Sequence, residues 1–161
     1  MNYYATAAGA VLGVCIVLMP QAYGDDSHPG HTMLTPDQME WKDAPGLPPG
    51  TKVTVIEGPM NEAVPFTIRV KFPAGAKVPP HWHTQIEHTT VLSGVFNLGI
   101  GDKMDASTAK ALPVGSAAFM QPKTTHFAFF NEESIIQVHG VGPWTITYVN
   151  PADDPRSKTT N

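Results

Sequence analysis

Residues 75–94 read GAKVPPHWHTQIEHTTVLSG, and this stretch decides both the fold and the site. One residue separates His81 from His83, so in an extended strand both imidazoles project from the same face. Glu87 follows a predicted corner at residues 84–85, which returns its carboxylate toward the same point. Imidazole nitrogens and a carboxylate that converge in this way are typical ligands of a divalent cation. The stretch therefore predicts a metal site built on β-strands.

The fourth ligand is expected from a different strand. His126 lies well downstream, at the start of a separate strand candidate, and the prediction places it across the sheet from the first three groups. Three neutral imidazoles and one carboxylate suit Fe, Mn, Zn, Ni or Cu. The sequence therefore predicts one divalent metal ion held by His81, His83, Glu87 and His126, and it leaves the identity of the metal open.

The rest of the chain divides into short strand candidates. Residues 66–72 alternate strictly between apolar and polar side chains, which is typical of a half-buried strand. The 14 Gly and 16 Pro residues separate most candidates and disfavour long helices. The other candidates are residues 52–57, 78–83, 88–92, 95–100, 117–120, 126–130, 134–139 and 144–149. Such spacing predicts an all-β fold, and a jelly-roll barrel fits one domain of this size.

The first 24 residues predict a secretory signal peptide. They carry no charged side chain, and the nearly continuous apolar run at residues 5–19 is followed by Pro20 and by the small residues Ala22 and Gly24. We expect cleavage near Gly24, a periplasmic or secreted product, and no stable membrane association after cleavage; an uncleaved anchor is the alternative. The single cysteine, Cys15, falls inside this segment, so the mature chain forms no disulfide.

The mature chain is expected to have an N-terminal arm at residues 25–50, a barrel at 51–149 and a polar C-terminal tail at 150–161. The arm carries a predicted short strand at residues 31–34 and one helical turn at 35–38, and a second turn or an inserted loop fits 102–111.

With 10 Lys and Arg against 14 Asp and Glu, the net charge is -4 and no basic run occurs. Nucleic acids and anionic membrane surfaces are therefore excluded as partners, because both need clustered Lys and Arg.

Three further polar residues lie close to the predicted ligands in the strand pattern. Gln137 and His139 share one face of a strand candidate; if that face is turned inward, they support the site or act as acid or base. A structural pair is the equally weighted alternative. His88 is one step out of phase with Glu87, so it is expected on a wall or on the surface rather than as a ligand.

Aromatic residues supply candidates for the core and for the wall of a pocket. Phe127, Phe129 and Phe130 are interpreted as core and wall residues, although a pocket for an apolar ligand would have a similar composition. Trp144 and Tyr148 are interpreted as core residues or as part of an outer sheet that faces a dimer partner.

The motifs resemble those of the cupin superfamily. Residues 75–94 match the first cupin motif, G-x5-H-x-H-x3-E-x6-G, at every position. Residues 115–126 keep the glycine-to-histidine spacing of the second motif, G-x5-P-x-G-x2-H-x3-N. The interior departs from it, with Gln121 in place of Pro, Lys123 in place of Gly, and Asn131 one position late. Glycine at that position supplies a positive φ, which Lys123 adopts only with strain.

More narrowly, residues 79–94 together with VHGVGPWTITYVNP at 138–151 resemble the exported single-domain cupins grouped with the ChrR-type anti-sigma-factor cupin. The resemblance covers about residues 52–149. It implies a double-stranded β-helix and a homodimer, and it carries over no activity.

Coordination chemistry narrows the possible functions. Four protein ligands on an octahedral ion leave two positions open, which favours oxygenation of an enol or phenol, or isomerisation through an enediolate. On zinc, four ligands nearly complete a tetrahedral shell, which is typical of structural sites. We therefore expect a secreted metal-binding cupin that oxygenates a small organic molecule. The alternative is a non-enzymatic binding or sensing cupin with a structural zinc.

Overall fold

The computed structural model describes residues 31–158. The predicted signal peptide and its cleavage site lie outside the described residues. The chain divides into two compact units, residues 1–33 and 34–161, and the fold reported below is that of the second unit. Among the described residues, no helix has the length and apolar character needed to cross a bilayer.

The second unit is built from antiparallel strands joined by turns. Its strands are β1 (Lys42–Asp43), β2 (Lys52–Glu57), β3 (Pro65–Phe72), β4 (Lys77–His83), β5 (Glu87–Ser93), β6 (Val95–Ile100), β7 (Lys110–Pro113), β8 (Ala117–Met120), β9 (His126–Phe129), β10 (Ser134–Val141) and β11 (Ile146–Tyr148). Short 3₁₀ turns occupy Pro36–Gln38, Ala106–Thr108, Pro151–Asp153 and Pro155–Lys158. The two turns predicted at residues 35–38 and 102–111 are thus confirmed.

The short strand of the arm is not where the sequence placed it. Residues 31–34 form no strand, whereas Lys42–Asp43 forms β1. The reason is tertiary, because Lys42 pairs with Val53 and Asp43 pairs with Lys52 at the edge of β2. The Lys52 ammonium also donates to Asp43 Oδ1 at 2.6 Å, which holds this pairing.

The strands form two sheets that enclose the core, so the all-β jelly-roll prediction is confirmed. One sheet has the order β1-β2-β3-β10-β5-β8, and the other has the order β11-β4-β9-β6-β7. The alternation predicted for residues 66–72 is also confirmed, because Phe66, Ile68, Val70 and Phe72 are all buried. Phe72 stacks on Phe130 from the opposite sheet with ring centroids 4.0 Å apart.

The sheets bring the predicted ligands to one place. Strands β4 and β9 are neighbours, and His81 pairs directly with His126. Glu87 opens β5 in the other sheet. The turn before His126 takes the conformation expected of the family's glycine, because Lys123 has φ 61°. Its backbone N–H donates to His83 O at 2.9 Å and ties this turn to β4.

Candidate metal centre

All four predicted ligands converge inside the barrel. The ligand nitrogens of His81, His83 and His126 lie within 4.8 Å of one another, which positions the three residues to bind a metal. Glu87 Oε2 lies 3.1 Å from His83 Nε2 and 3.3 Å from His126 Nε2. Each of the four residues is at most 5% exposed. The chain therefore gathers three imidazoles and a carboxylate in a place that water barely reaches.

Each imidazole is oriented through the nitrogen that faces away from this point. A backbone carbonyl only accepts hydrogen bonds, so each Nδ1 carries the proton and each Nε2 presents a lone pair to the centre. Such backbone contacts fix both the tautomer and the ring direction. The bonds run from His81 Nδ1 to Pro79 O (2.7 Å), from His83 Nδ1 to Thr145 O (2.9 Å) and from His126 Nδ1 to Thr124 O (2.9 Å).

The electrostatics of the cluster suit a cation. Burial, together with the neighbouring imidazoles of His126 and His83, lowers the pKa of His81 to about 3, so His81 stays neutral and able to bind metal. Burial works to raise the pKa of the Glu87 carboxyl, but hydrogen bonds from His126 and His83, formed when their Nε2 atoms carry a proton, outweigh it, and the net pKa then lies below its usual value. The centre therefore presents an ionised carboxylate beside a neutral His81 imidazole.

One oxygen of this carboxylate has no hydrogen-bond partner within residues 31–158. Thr89 Oγ1 donates to Glu87 Oε1 at 3.2 Å, whereas the buried Oε2 faces the Nε2 lone pairs of His83 and His126. A carboxylate oxygen packed against lone pairs is unfavourable unless a proton or a cation lies between them. The donor set present fits a divalent metal ion, which would satisfy all of these atoms at once.

The ligands form part of the wall of a cavity of about 220 Å³. The rest of the wall is almost wholly apolar, and it includes Phe130, confirmed as a wall residue. Trp144 also lines the cavity and stacks on His83, with ring centroids 4.1 Å apart and planes 15° apart. A small organic molecule in this space would therefore touch the metal ligands directly.

The arm supplies one side of the cavity, which the sequence did not indicate. Residues 44–47 line it, and the phenol O–H of Tyr148 donates to Gly46 O at 2.9 Å. Burial raises the pKa of Tyr148 to about 12, with Asp154 adding to the effect, so the phenol remains a donor over the ordinary pH range. The segment at residues 44–47 is thus a fixed part of the cavity wall.

Two candidate residues do not reach the centre. Gln137 and His139 lie on the outer face of β10, because they alternate with Ile136 and Val138, which line the cavity. Gln137 accepts a hydrogen bond from Arg69 Nε at 3.1 Å on that outer face. The expectation that this pair supports the site or acts as acid or base is therefore corrected.

His88 lies on the same outer face, in line with the expectation of a wall or surface position. Its Nδ1 lies 3.2 Å from His139 Nε2, and its ring meets Phe119 edge-on at 5.2 Å. His88 is therefore a neighbour of His139 rather than a ligand at the centre.

Sequence reasoning missed two residues that contact the ligands. Thr89 is two positions from Glu87 in β5, so strand alternation alone would have placed its hydroxyl on the inner face. Trp144 follows a Gly-Pro turn and lies outside any strand, so no periodic signal indicates that its ring lies over His83.

The sequence matches the family profile described as the ChrR Cupin-like domain over residues 29–145. No curated protein shows a significant match to the chain.

Several solved structures are similar in fold. An RmlC-like cupin from Shewanella frigidimarina shares 20% identity over 70% of this chain and 93% of its own, with a TM-score of 0.56. The polyketide cyclase RemF from Streptomyces resistomycificus shares 17% over 81% and 94%, with a TM-score of 0.63. An acetylacetone dioxygenase from Acinetobacter johnsonii shares 14% over 96% and 88%, with a TM-score of 0.57. At these identities the likeness concerns the fold alone.

Proposed function

The chain belongs to the ChrR cupin-like family, and from that premise we propose that it binds a metal and oxygenates a small organic molecule. The observation that carries the proposal is the position of the four ligands on the wall of an apolar cavity. A purely structural metal needs no such space beside it, whereas a metal that meets a substrate does.

The residues have separate tasks in this proposal. His81, His83, Glu87 and His126 would hold the ion, and a redox-active ion such as iron or manganese would supply the activation of dioxygen when bound. The apolar wall, with Phe72 and the other core side chains, excludes water and leaves the substrate oxygens to bind at the centre.

The cavity also argues against isomerisation through an enediolate. That reaction needs a base to move a proton, and Glu87 is the one ionisable side chain on the described wall besides the three histidines. Since all four would be assigned to the metal, the described wall offers no separate side-chain base to carry a proton between two carbons. Oxygenation, in which the metal and the substrate do most of the chemistry, fits the wall better.

Oxygen consumption tests the proposal. Protein loaded with iron, manganese or zinc would be mixed with a panel of β-diketones, including acetylacetone, and of phenols. We expect the iron or manganese protein to consume dioxygen with at least one compound and the zinc protein to consume none. His126→Ala should abolish consumption, while His139→Ala, a histidine substitution on the outer face, should preserve it. Correctly loaded protein without turnover across the panel would refute oxygenation.

A non-enzymatic binding or sensing cupin with a structural zinc is the second candidate. Four deeply buried protein ligands, each at most 5% exposed, nearly complete a tetrahedral zinc shell, and this observation favours it. Elemental analysis of the protein purified from its native source separates the two candidates. Stoichiometric zinc supports the second, and iron or manganese supports the first.

We also propose that the chain is exported to the periplasm or beyond and acts as a homodimer. The apolar run at residues 5–19, followed by small residues, supports export, and the family resemblance supports the dimer. Expression of the full chain, followed by fractionation and N-terminal sequencing, should give a product that starts near Asp25 outside the cytoplasm. Sedimentation of that product should give twice the mass of one mature chain.

A further inference from the structure

One polar group on the cavity wall takes no part in holding the metal. The indole of Trp144 is packed between His83, on which it stacks, and Phe66, whose ring centroid lies 5.6 Å away. Its Nε1 is buried and has no hydrogen-bond partner among the residues that the structure describes. Buried donors in native proteins nearly always have an acceptor, so this donor is available to a ligand that enters the cavity.

The remainder of the wall offers no competing polar side chain. Apart from the four ligands and Trp144, the described wall is made of aliphatic, Phe, Pro, Met, Ala and Gly residues. It contains no hydroxyl, amide, ammonium or guanidinium group. A ligand with several hydroxyls or a second carboxylate would lose its water contacts there and gain nothing in return, which is unfavourable.

The place of the indole fixes which end of a ligand it meets. Trp144 lies face to face with His83, whose Nε2 points to the centre, so the indole ring flanks the end of the cavity that carries the metal ligands. The rest of the wall is formed by Leu47 and other apolar side chains. The wall therefore suits a molecule that is polar at one end and apolar at the other.

We propose that the indole N–H of Trp144 donates a hydrogen bond to an oxygen of the bound organic molecule, and that the cavity selects compact apolar compounds with a chelating pair of oxygens at one end. This inference rests on the proposed function, since the metal binds the same end of the ligand. β-Diketones and their enols have this chemistry, whereas sugars, polyols and dicarboxylates do not.

Nuclear magnetic resonance of the zinc-loaded protein tests the hydrogen bond directly, because zinc is diamagnetic and leaves the probe unchanged. With ¹⁵N-labelled tryptophan, the indole signal of Trp144 is assigned by elimination using Trp41→Phe and Trp82→Phe. Acetylacetone should shift this N–H signal downfield. Oxalate, a dicarboxylate of similar size, should bind at least tenfold more weakly than acetylacetone.

Calorimetry of Trp144→Phe supplies the second measurement. This variant keeps an aromatic ring and removes the donor, so acetylacetone should bind roughly fivefold to tenfold more weakly, the usual effect of one hydrogen bond. The zinc content should be unchanged. Trp82→Phe is the matched control, since Trp82 does not line the cavity, and it should bind acetylacetone as the wild type does.

Several results would overturn the inference: no binding of acetylacetone, an unshifted Trp144 signal when acetylacetone is bound, or equal affinities for the wild type and Trp144→Phe. The signal shift is measured on protein with Trp144 intact, so it decides the matter even if Trp144→Phe fails to fold. Failure of the proposed oxygenation looks different. In that case the iron-loaded protein consumes no dioxygen, while acetylacetone still binds and still shifts the Trp144 signal in the zinc-loaded protein.

Discussion

The contact between Glu87 and two imidazoles predicts that replacing Glu87 changes the free energy of unfolding in opposite directions in the metal-free and the metal-loaded protein. Glu87 Oε2 lies 3.1 Å from His83 Nε2 and 3.3 Å from His126 Nε2. Both rings donate their Nδ1 protons to backbone carbonyls, so in the neutral rings two Nε2 lone pairs face a carboxylate oxygen. The substitution Glu87→Gln keeps the shape of the side chain and replaces one acceptor oxygen with an amide that donates.

The expected magnitudes follow from these contacts. Without metal, the new amide donates to one or both imidazoles, and a net hydrogen bond contributes about 0.5–1.5 kcal/mol. We therefore expect the free energy of unfolding of metal-free Glu87→Gln to exceed that of the wild type by about 1 kcal/mol. With metal at a hundred times the wild-type Kd, the wild type is stabilised by about 2.7 kcal/mol. Loss of one ligand should remove most of this stabilisation, about 2 kcal/mol.

Urea denaturation at pH 8 measures both effects, once after treatment with a chelator and once after loading with zinc. Glu57→Gln is the matched control, because Glu57 is exposed and accepts a hydrogen bond from Thr67 far from the cavity. This variant should change either value by less than about 0.5 kcal/mol. If metal-free Glu87→Gln is less stable than the wild type, the opposing lone pairs are not the dominant effect. If zinc stabilises it as fully as the wild type, Glu87 is not a ligand.

Three further predictions follow from other contacts. Thr89→Val removes the donor to Glu87 Oε1 while keeping the side-chain volume, so metal affinity should fall about 10- to 100-fold in a competition assay with a chromogenic chelator. An unchanged affinity would show that Thr89 does not position the carboxylate. Gly99→Ala would place a methyl group in steric conflict with the ring of the fully buried Phe127, so the free energy of unfolding should fall by at least about 1–3 kcal/mol. Full stability in urea would mean that the ring can move aside. The unfolded chain takes up a proton on His81 near pH 6.5, whereas the folded protein does so only near pH 3, so the free energy of unfolding of the metal-free protein should fall as the pH falls through this window. His81→Asn should flatten this dependence of stability on pH, and an equal dependence in both proteins would contradict the lowered pKa.

Much of the fold could be predicted because its signals are local. The alternation at residues 66–72 depends on nearest neighbours in the chain, and the structure places β3 at Pro65–Phe72. The spacing of His81, His83 and Glu87 is local in the same way, since a strand and a corner suffice to bring them together. Only His126 required a long-range inference, and the family resemblance supported its placement.

The predictions that failed concern choices between equivalent local alternatives. Alternation shows that Gln137 and His139 share a face, but it does not show which face is inside. The register of β10 against β3 decides this, because Ile136 and Val138 lie opposite Val70 and Ile68 and turn inward with them. The arm strand was misplaced for a similar reason, since pairing with β2 rather than local propensity selected Lys42–Asp43.

By itself the sequence determined the all-β class, the boundaries of every strand except β1 and β7 to within a few residues, and the set of groups suited to a metal. Each of these is encoded largely by side chains a few positions apart. Only the tertiary structure decided that residues 44–47 close the cavity, that Trp144 lies over His83, and that the rest of the described wall is apolar. These features join segments far apart in the chain. Their positions depend on how two sheets pack against each other, which no local pattern contains.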